Sequence, residues 1–177
     1  MKKTLIALLT MIAFSVNAQT DDQQRLTELK NNFTFLKDEK SQINYYEPLV
    51  EKKFLPKQTR LKTSVSPDGT INLSSIYYGK GWIKHSSVMV KIGDNIYSTE
   101  VNENAKKETI GAGTVFECVS YSGSNNYLFK MITSNKGKVI KVIFVGKDDY
   151  DYTLSDNEMR AISDSYELAQ LLKKYPQ

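Results

Sequence analysis

Histidine, cysteine and tryptophan each occur once in this 177-residue chain, and proline occurs four times. One His and one Cys exclude a Cys/His metal cluster, a CxxC redox motif and an internal disulfide within a single chain. Neither sign of charge dominates, with 24 basic against 20 acidic residues. Nucleic-acid binding needs a concentrated basic face, so that class of partner is set aside. No G-x-S-x-G elbow, G-x-x-x-x-G-K-[ST] loop or D-x-D-x-D-G calcium loop is present. Gly79-Lys80-Gly81 and Gly111-Ala112-Gly113 are therefore read as turns rather than phosphate loops. What remains is an ordinary globular composition, 40% hydrophobic and 25% charged, which sets aside disorder and fibrous repeats and fits one domain.

The first eighteen residues form the clearest signal. Lys2 and Lys3 precede an apolar stretch from Leu5 to Val16, and Val16-Asn17-Ala18 supplies a small-x-small cleavage sequence. The run is too short to span a bilayer, so residues 1–18 are read as a bacterial secretory signal peptide rather than an uncleaved anchor. Cleavage after Ala18 removes two lysines and lowers the net charge from +4 to +2. The expected location is periplasmic or secreted, with no transmembrane segment in the mature chain. In that oxidising setting Cys118 stands alone within the apolar run Thr114 to Val119, where a free Cys behaves as a small buried hydrophobe.

Residues 19–177 are expected to form a single α+β domain. Its core would be an antiparallel β meander or sandwich of about six or seven strands between an N-terminal and a C-terminal helix. The N-terminal helix is placed within 19–42, because Leu26, Leu29, Phe33 and Leu36 recur at helical spacing. Its stripe would dock on the body of the domain, pair with a second copy as a homodimer, or lie on a membrane; docking is preferred, since the polar face has no basic excess. Residues 43–54 read as a connection, and residues 59–147 read as mainly β. Ser66-Pro67-Asp68-Gly69 and Gly93-Asp94-Asn95 supply hairpin turns. Residues 102–113 read as a loop with a possible helical turn, and residues 127–132 as a short helix capped by the Asn pair before it. Lys138 to Val145 has one fully apolar face, so it is expected to be a central strand. Ser155 to Glu158 matches a capping box and opens a helix over 155–175, ended by Pro176.

Candidate sites are few. Tyr77, Tyr78 and Trp82 bracket one turn, while Tyr150 and Tyr152 flank an acidic patch. Exposed aromatics on a β surface stack on sugar rings or anchor a protein interface, although Tyr and Trp are also ordinary sheet residues. Asp148, Asp149 and Asp151 are weak calcium candidates. His85 is read as a hydrogen-bonded surface or edge residue; a hydrolytic triad would need a Ser or Cys within its reach, and a hydrolase or lyase a cleft that brings Glu117, His85 or the Asp148–Asp151 patch together. No catalytic residue, metal or cofactor is assigned.

From Trp82 to Leu172 the chain resembles a group of uncharacterised bacterial exported and phage-encoded β-domains. The carriers are Trp82-Ile83, the hairpin Ile92-Gly93-Asp94-Asn95-Ile96-Tyr97, Glu117, the strand from Val139 to Gly146, Tyr150 and the Ser-capped terminal helix. Lys141 departs from the Arg expected in that group. The resemblance covers about half the chain, implies the fold only and transfers no activity. The leading expectation is an exported, non-catalytic domain that binds a protein or envelope component. The alternatives are a small secreted hydrolase or lyase using scattered acids and His85, and an inhibitor or immunity factor for a toxic enzyme.

Overall fold

The computed structural model describes residues 21–39, 42–55, 57–122 and 126–176. The signal peptide expected at 1–18 and Asn125 of the expected helix cap lie outside these residues. The class is α+β: among the described residues three helices accompany two antiparallel sheets, one of six strands and one of four.

Residues 21–30 form the first helix, α1. It is shorter than the leucine–phenylalanine stripe implied. The Asn31 and Asn32 amides donate back to Glu28 and Leu29 and turn the chain. Phe33 and Leu36 then belong to a strand, β1 (Phe33–Lys37), which pairs with β2 (Asn44–Pro48). Aromatic and β-branched side chains in Phe-Thr-Phe-Leu favour the pleated arrangement once a partner strand is available. Residues 43–54, read as a connection, hold β2 and a 3-10 turn at Leu49–Lys53. Leu26 and Leu29 are buried in the protein's own core, and Arg25 and Asp22 pair with Glu167 and Lys174 of the last helix. Leu26, Leu29 and Phe33 of the stripe are therefore covered by the chain's own core, as the docking expectation had it.

β3 (Arg60–Val65) and β4 (Ile71–Lys80) form the hairpin around Ser66-Pro67-Asp68-Gly69. The chain then leaves the large sheet through residues 81–86 and builds the hairpin β5 (Ser87–Ile92) and β6 (Asn95–Ser98) in the small one. It returns as β7 (Lys106–Gly111) and β8 (Thr114–Ser122), and β8 pairs with β4 over nine residues. Residues 102–113 thus carry an edge strand rather than only a loop. Its alternation is hidden because Lys-Lys-Glu-Thr-Ile-Gly is almost wholly exposed. A short helix, α2 (Asn126–Ser134), leads to β9 (Ile140–Val145) and β10 (Tyr150–Thr153). The sheet orders are β1-β2-β3-β4-β8-β7 and β10-β9-β5-β6, so the single meander becomes two interleaved sheets. As expected, β9 is interior to its sheet and buries Ile140, Val142 and Phe144.

The terminal helix, α3 (Asp156–Lys174), begins with the full capping box. Its Glu158 is buried and also accepts from the Leu61 amide at 3.0 Å and the Tyr152 hydroxyl at 2.7 Å. The box is worth about 1 kcal/mol, whereas each fully buried Ile162, Leu168 and Leu172 contributes roughly 1.5–3 kcal/mol, so packing rather than capping holds α3 on the sheet. One apolar cluster joins both sheets with all three helices.

Candidate functional site

The pleat sends alternate residues of β4 and β8 to opposite faces of the large sheet. Ile71, Leu73, Ser75 and Tyr77 face the core with Val115, Glu117, Val119 and Tyr121. Asn72, Ser74, Ile76 and Tyr78 face the other way, opposite Ser122, Ser120, Cys118 and Phe116.

On the core face lies a buried polar chain. Ser75 Oγ is 2.8 Å from His85 Nε2, and His85 Nδ1 is 3.3 Å from Glu117 Oε2. All three side chains are at most 1% exposed. Glu117 also accepts from the Lys84 and His85 amides at 3.0 and 3.3 Å. Lys84 adopts φ +52, and this left-handed kink turns two successive N–H groups toward one carboxylate. Gly146 closes the arrangement: a Cβ there would stand 2.4 Å from Ile83 O and 2.7 Å from His85 Cα. Burial pushes the His85 pKa down, and the nearby Glu117 opposes that shift. His85 is therefore neutral at pH 7. A carboxylate facing Nδ1 favours the proton on that nitrogen, leaving Nε2 to accept from the Ser75 hydroxyl. At 3.3 Å the Nδ1–Glu117 approach falls short of hydrogen-bond geometry, so Nδ1 has no aligned partner.

The residue types of a Ser–His–acid triad are thus together. Catalysis also needs a nucleophile that touches substrate, and Ser75 is 0% exposed. Its hydroxyl lies 3.4 Å from Val119 O as well as against His85. The arrangement resembles a pin through the core, joining β4, β8 and the crossover segment. His85 is consequently a core residue rather than an edge residue.

The aromatic candidates do not form one surface. Tyr77 is buried with its ring against Tyr150 at 5.2 Å, and Gly79 leaves room beside it, since a Cβ there would stand 2.0 Å from the Tyr77 hydroxyl. Tyr150 and Tyr152 close around Phe144, which stacks on His85 at 5.0 Å. Trp82 packs half-buried on the core. Only Tyr78 turns to the outer face, where it meets Phe116 at 5.0 Å. The acids are also dispersed: Asp151 pairs with Lys141 at 2.8 Å, and Asp149 accepts from the Gly146 amide at 3.2 Å. Asp148 stays exposed. Among the described residues no three Asp, Glu, His or Cys side chains stand where they could share a metal ion.

The outer face carries an open groove of about 430 Å3. Its floor is Ser74, Ile76, Cys118 and Ser120, and Lys62, Ser64 and Asn72 extend it. The β1–β2 hairpin walls one side with Tyr45 and Glu47. Ser74 and Ser120 hydroxyls lie 3.0 Å apart, and Lys62 pairs with Glu47 at 2.5 Å. Cys118 is a free, half-buried thiol whose pKa burial pushes up, which disfavours a nucleophilic thiolate. Ser64, Asn72, Ser74 and Ser120 escaped sequence reasoning because each is an ordinary small polar residue on a strand. The legible signal was parity: on β4 and β8 serine and asparagine recur at outward positions, while the inward side chains are apolar or tyrosine apart from Ser75 and Glu117.

Comparison of the chain with family models, with curated proteins and with solved structures finds no match. Among the described residues no helix is long and apolar enough to cross a membrane.

Proposed function

We propose that this is an exported, non-catalytic binding domain of the bacterial envelope, whose ligand or partner lies on the outer face of the six-stranded sheet. The observation that carries this reading is the contrast between an open groove lined by hydrogen-bonding side chains and a serine–histidine–glutamate chain sealed in the core. The basic-apolar-small leader supports export. An inhibitor or immunity factor is the version of this reading in which the occupant is a toxic enzyme.

A photo-crosslinking residue placed at Ser74 in cells tests the reading, with exposed Asn157 on α3 as the control position. A discrete adduct in the envelope fraction from Ser74 and none from Asn157 is the expected result. Equal labelling at both positions would remove the groove as the binding surface.

The rival reading, a small hydrolase, rests on Ser75, His85 and Glu117 and requires the core to open. A serine-directed fluorophosphonate should leave Ser75 unlabelled in the folded protein. Stoichiometric labelling of Ser75 would establish the hydrolase instead.

A further inference from the structure

We infer that the groove takes a neutral, polyhydroxylated chain, an oligosaccharide segment laid along β4 and β8. This inference rests on the proposal that the groove is the binding surface and names its ligand class. The first ground is the lining. Ser64, Ser74, Ser120 and Tyr45 present hydroxyls, and Asn72 presents an amide. A hydroxyl both donates and accepts, and an amide offers one atom of each kind, so this set matches sugar hydroxyls, which also do both.

Charge is the second ground. Lys62 is the one basic residue in the lining, and it is already matched by Glu47 at 2.5 Å. Beyond the groove, Lys106 is matched by Glu108 at 2.9 Å. Phosphate, sulfate or nucleic acid would require cations left for the ligand, as bidentate or clustered Lys and Arg. Among the described residues the groove lining holds two carboxylates, Asp38 and Glu47, against the one base Lys62, which selects against an anionic ligand.

Shape is the third. Asn72, Ser74, Ile76 and Tyr78 follow one another on the outer face of β4 and cover about 20 Å at strand rise. Tyr45 stands in the groove wall, and the Tyr78–Phe116 ring pair continues the same face past Ile76 and Cys118. Aromatic faces pack against the C–H faces of sugar rings, while the serines between them take the hydroxyl edges. An open, elongated path of this kind fits an extended ligand better than a compact one.

The test is an amide chemical-shift titration of the folded mature protein with cellohexaose and chitohexaose, each taken to millimolar concentration. The expected result is saturable shifts confined to the groove strands β2, β3, β4 and β8 with at least one of the two. Ser120→Trp, whose side chain points outward into the groove, should weaken binding at least roughly tenfold, with an unchanged melting temperature. Tyr45→Ala should weaken it comparably. No shift with either oligosaccharide, while the Ser74 crosslink persists as a polypeptide adduct, would overturn the glycan inference and leave the binding surface standing. No shift together with loss of the specific Ser74 crosslink would overturn both.

Discussion

Ser74 and Ser75 are neighbours on the same strand, yet one lines an open groove and the other lies in the deepest part of the core. Ser74 Oγ meets Ser120 Oγ at the groove floor, whereas Ser75 Oγ meets His85 Nε2 with no exposure at all. The same division separates Cys118 from Glu117 and Tyr78 from Tyr77. A two-residue period gives each pair opposite surroundings, and the surroundings then set what each side chain does. Hydroxyls on the outer face are available to a ligand, while the polar groups on the inner face hold one another. The inner set shares the residue types of a catalytic triad, and all three of its side chains are buried.

That contrast breaks first at Glu117. Glu117→Leu deprives the Lys84 and His85 amides of their acceptor inside the core and should cost about 3 kcal/mol or more, read from the urea unfolding midpoint. A loss no larger than that of an exposed substitution would show that the pin contributes nothing. Next comes the adjacent pair. Ser75→Ala removes the His85 partner and should cost about 1–2 kcal/mol, while Ser74→Ala should stay within about 0.5 kcal/mol. Equal effects from the two variants would abolish the distinction between the faces.

The smallest effect concerns pH, because the pull of Glu117 partly offsets the burial of His85. A histidine whose folded pKa lies below the unfolded value of about 6.5 favours folding in its neutral form. Its contribution is complete above that value and declines as pH falls from about 6.5 through the lower folded pKa. The unfolding midpoint of the wild type should therefore drop across that interval, and His85→Gln should lose that component of the slope. An identical pH dependence in both proteins would assign the acid sensitivity to other groups.

Much of the fold was legible because its cues are local. The capping box at Ser155–Glu158, the Ser66-Pro67-Asp68-Gly69 turn and the apolar face of β9 all formed where the spacing placed them. The failures have physical causes as well. Leu26, Leu29, Phe33 and Leu36 fit a helix by spacing, but pairing with β2 drew the last two into a strand. Lys106 to Gly111 lacks alternation because an edge strand with both faces wet needs none. For the sites, aromatic residue type drew attention to Tyr77, Trp82, Tyr150 and Tyr152, while the structure uses them as packing. Side-chain size predicts burial better than it predicts contact with a ligand.

By itself the sequence determined the fold class of the protein: an antiparallel β body and a capped terminal helix, both encoded by short-range periodicity and turn chemistry. The tertiary structure alone decided that the strands divide into two sheets and that Ser75, His85 and Glu117 meet in the core. It alone decided that Ser64, Asn72, Ser74 and Ser120 share one groove. The reason is that strand parity is local, whereas which strands become neighbours depends on packing between segments far apart in the chain. His85 and Glu117 lie 32 residues apart, and only the crossover between the sheets brings them together.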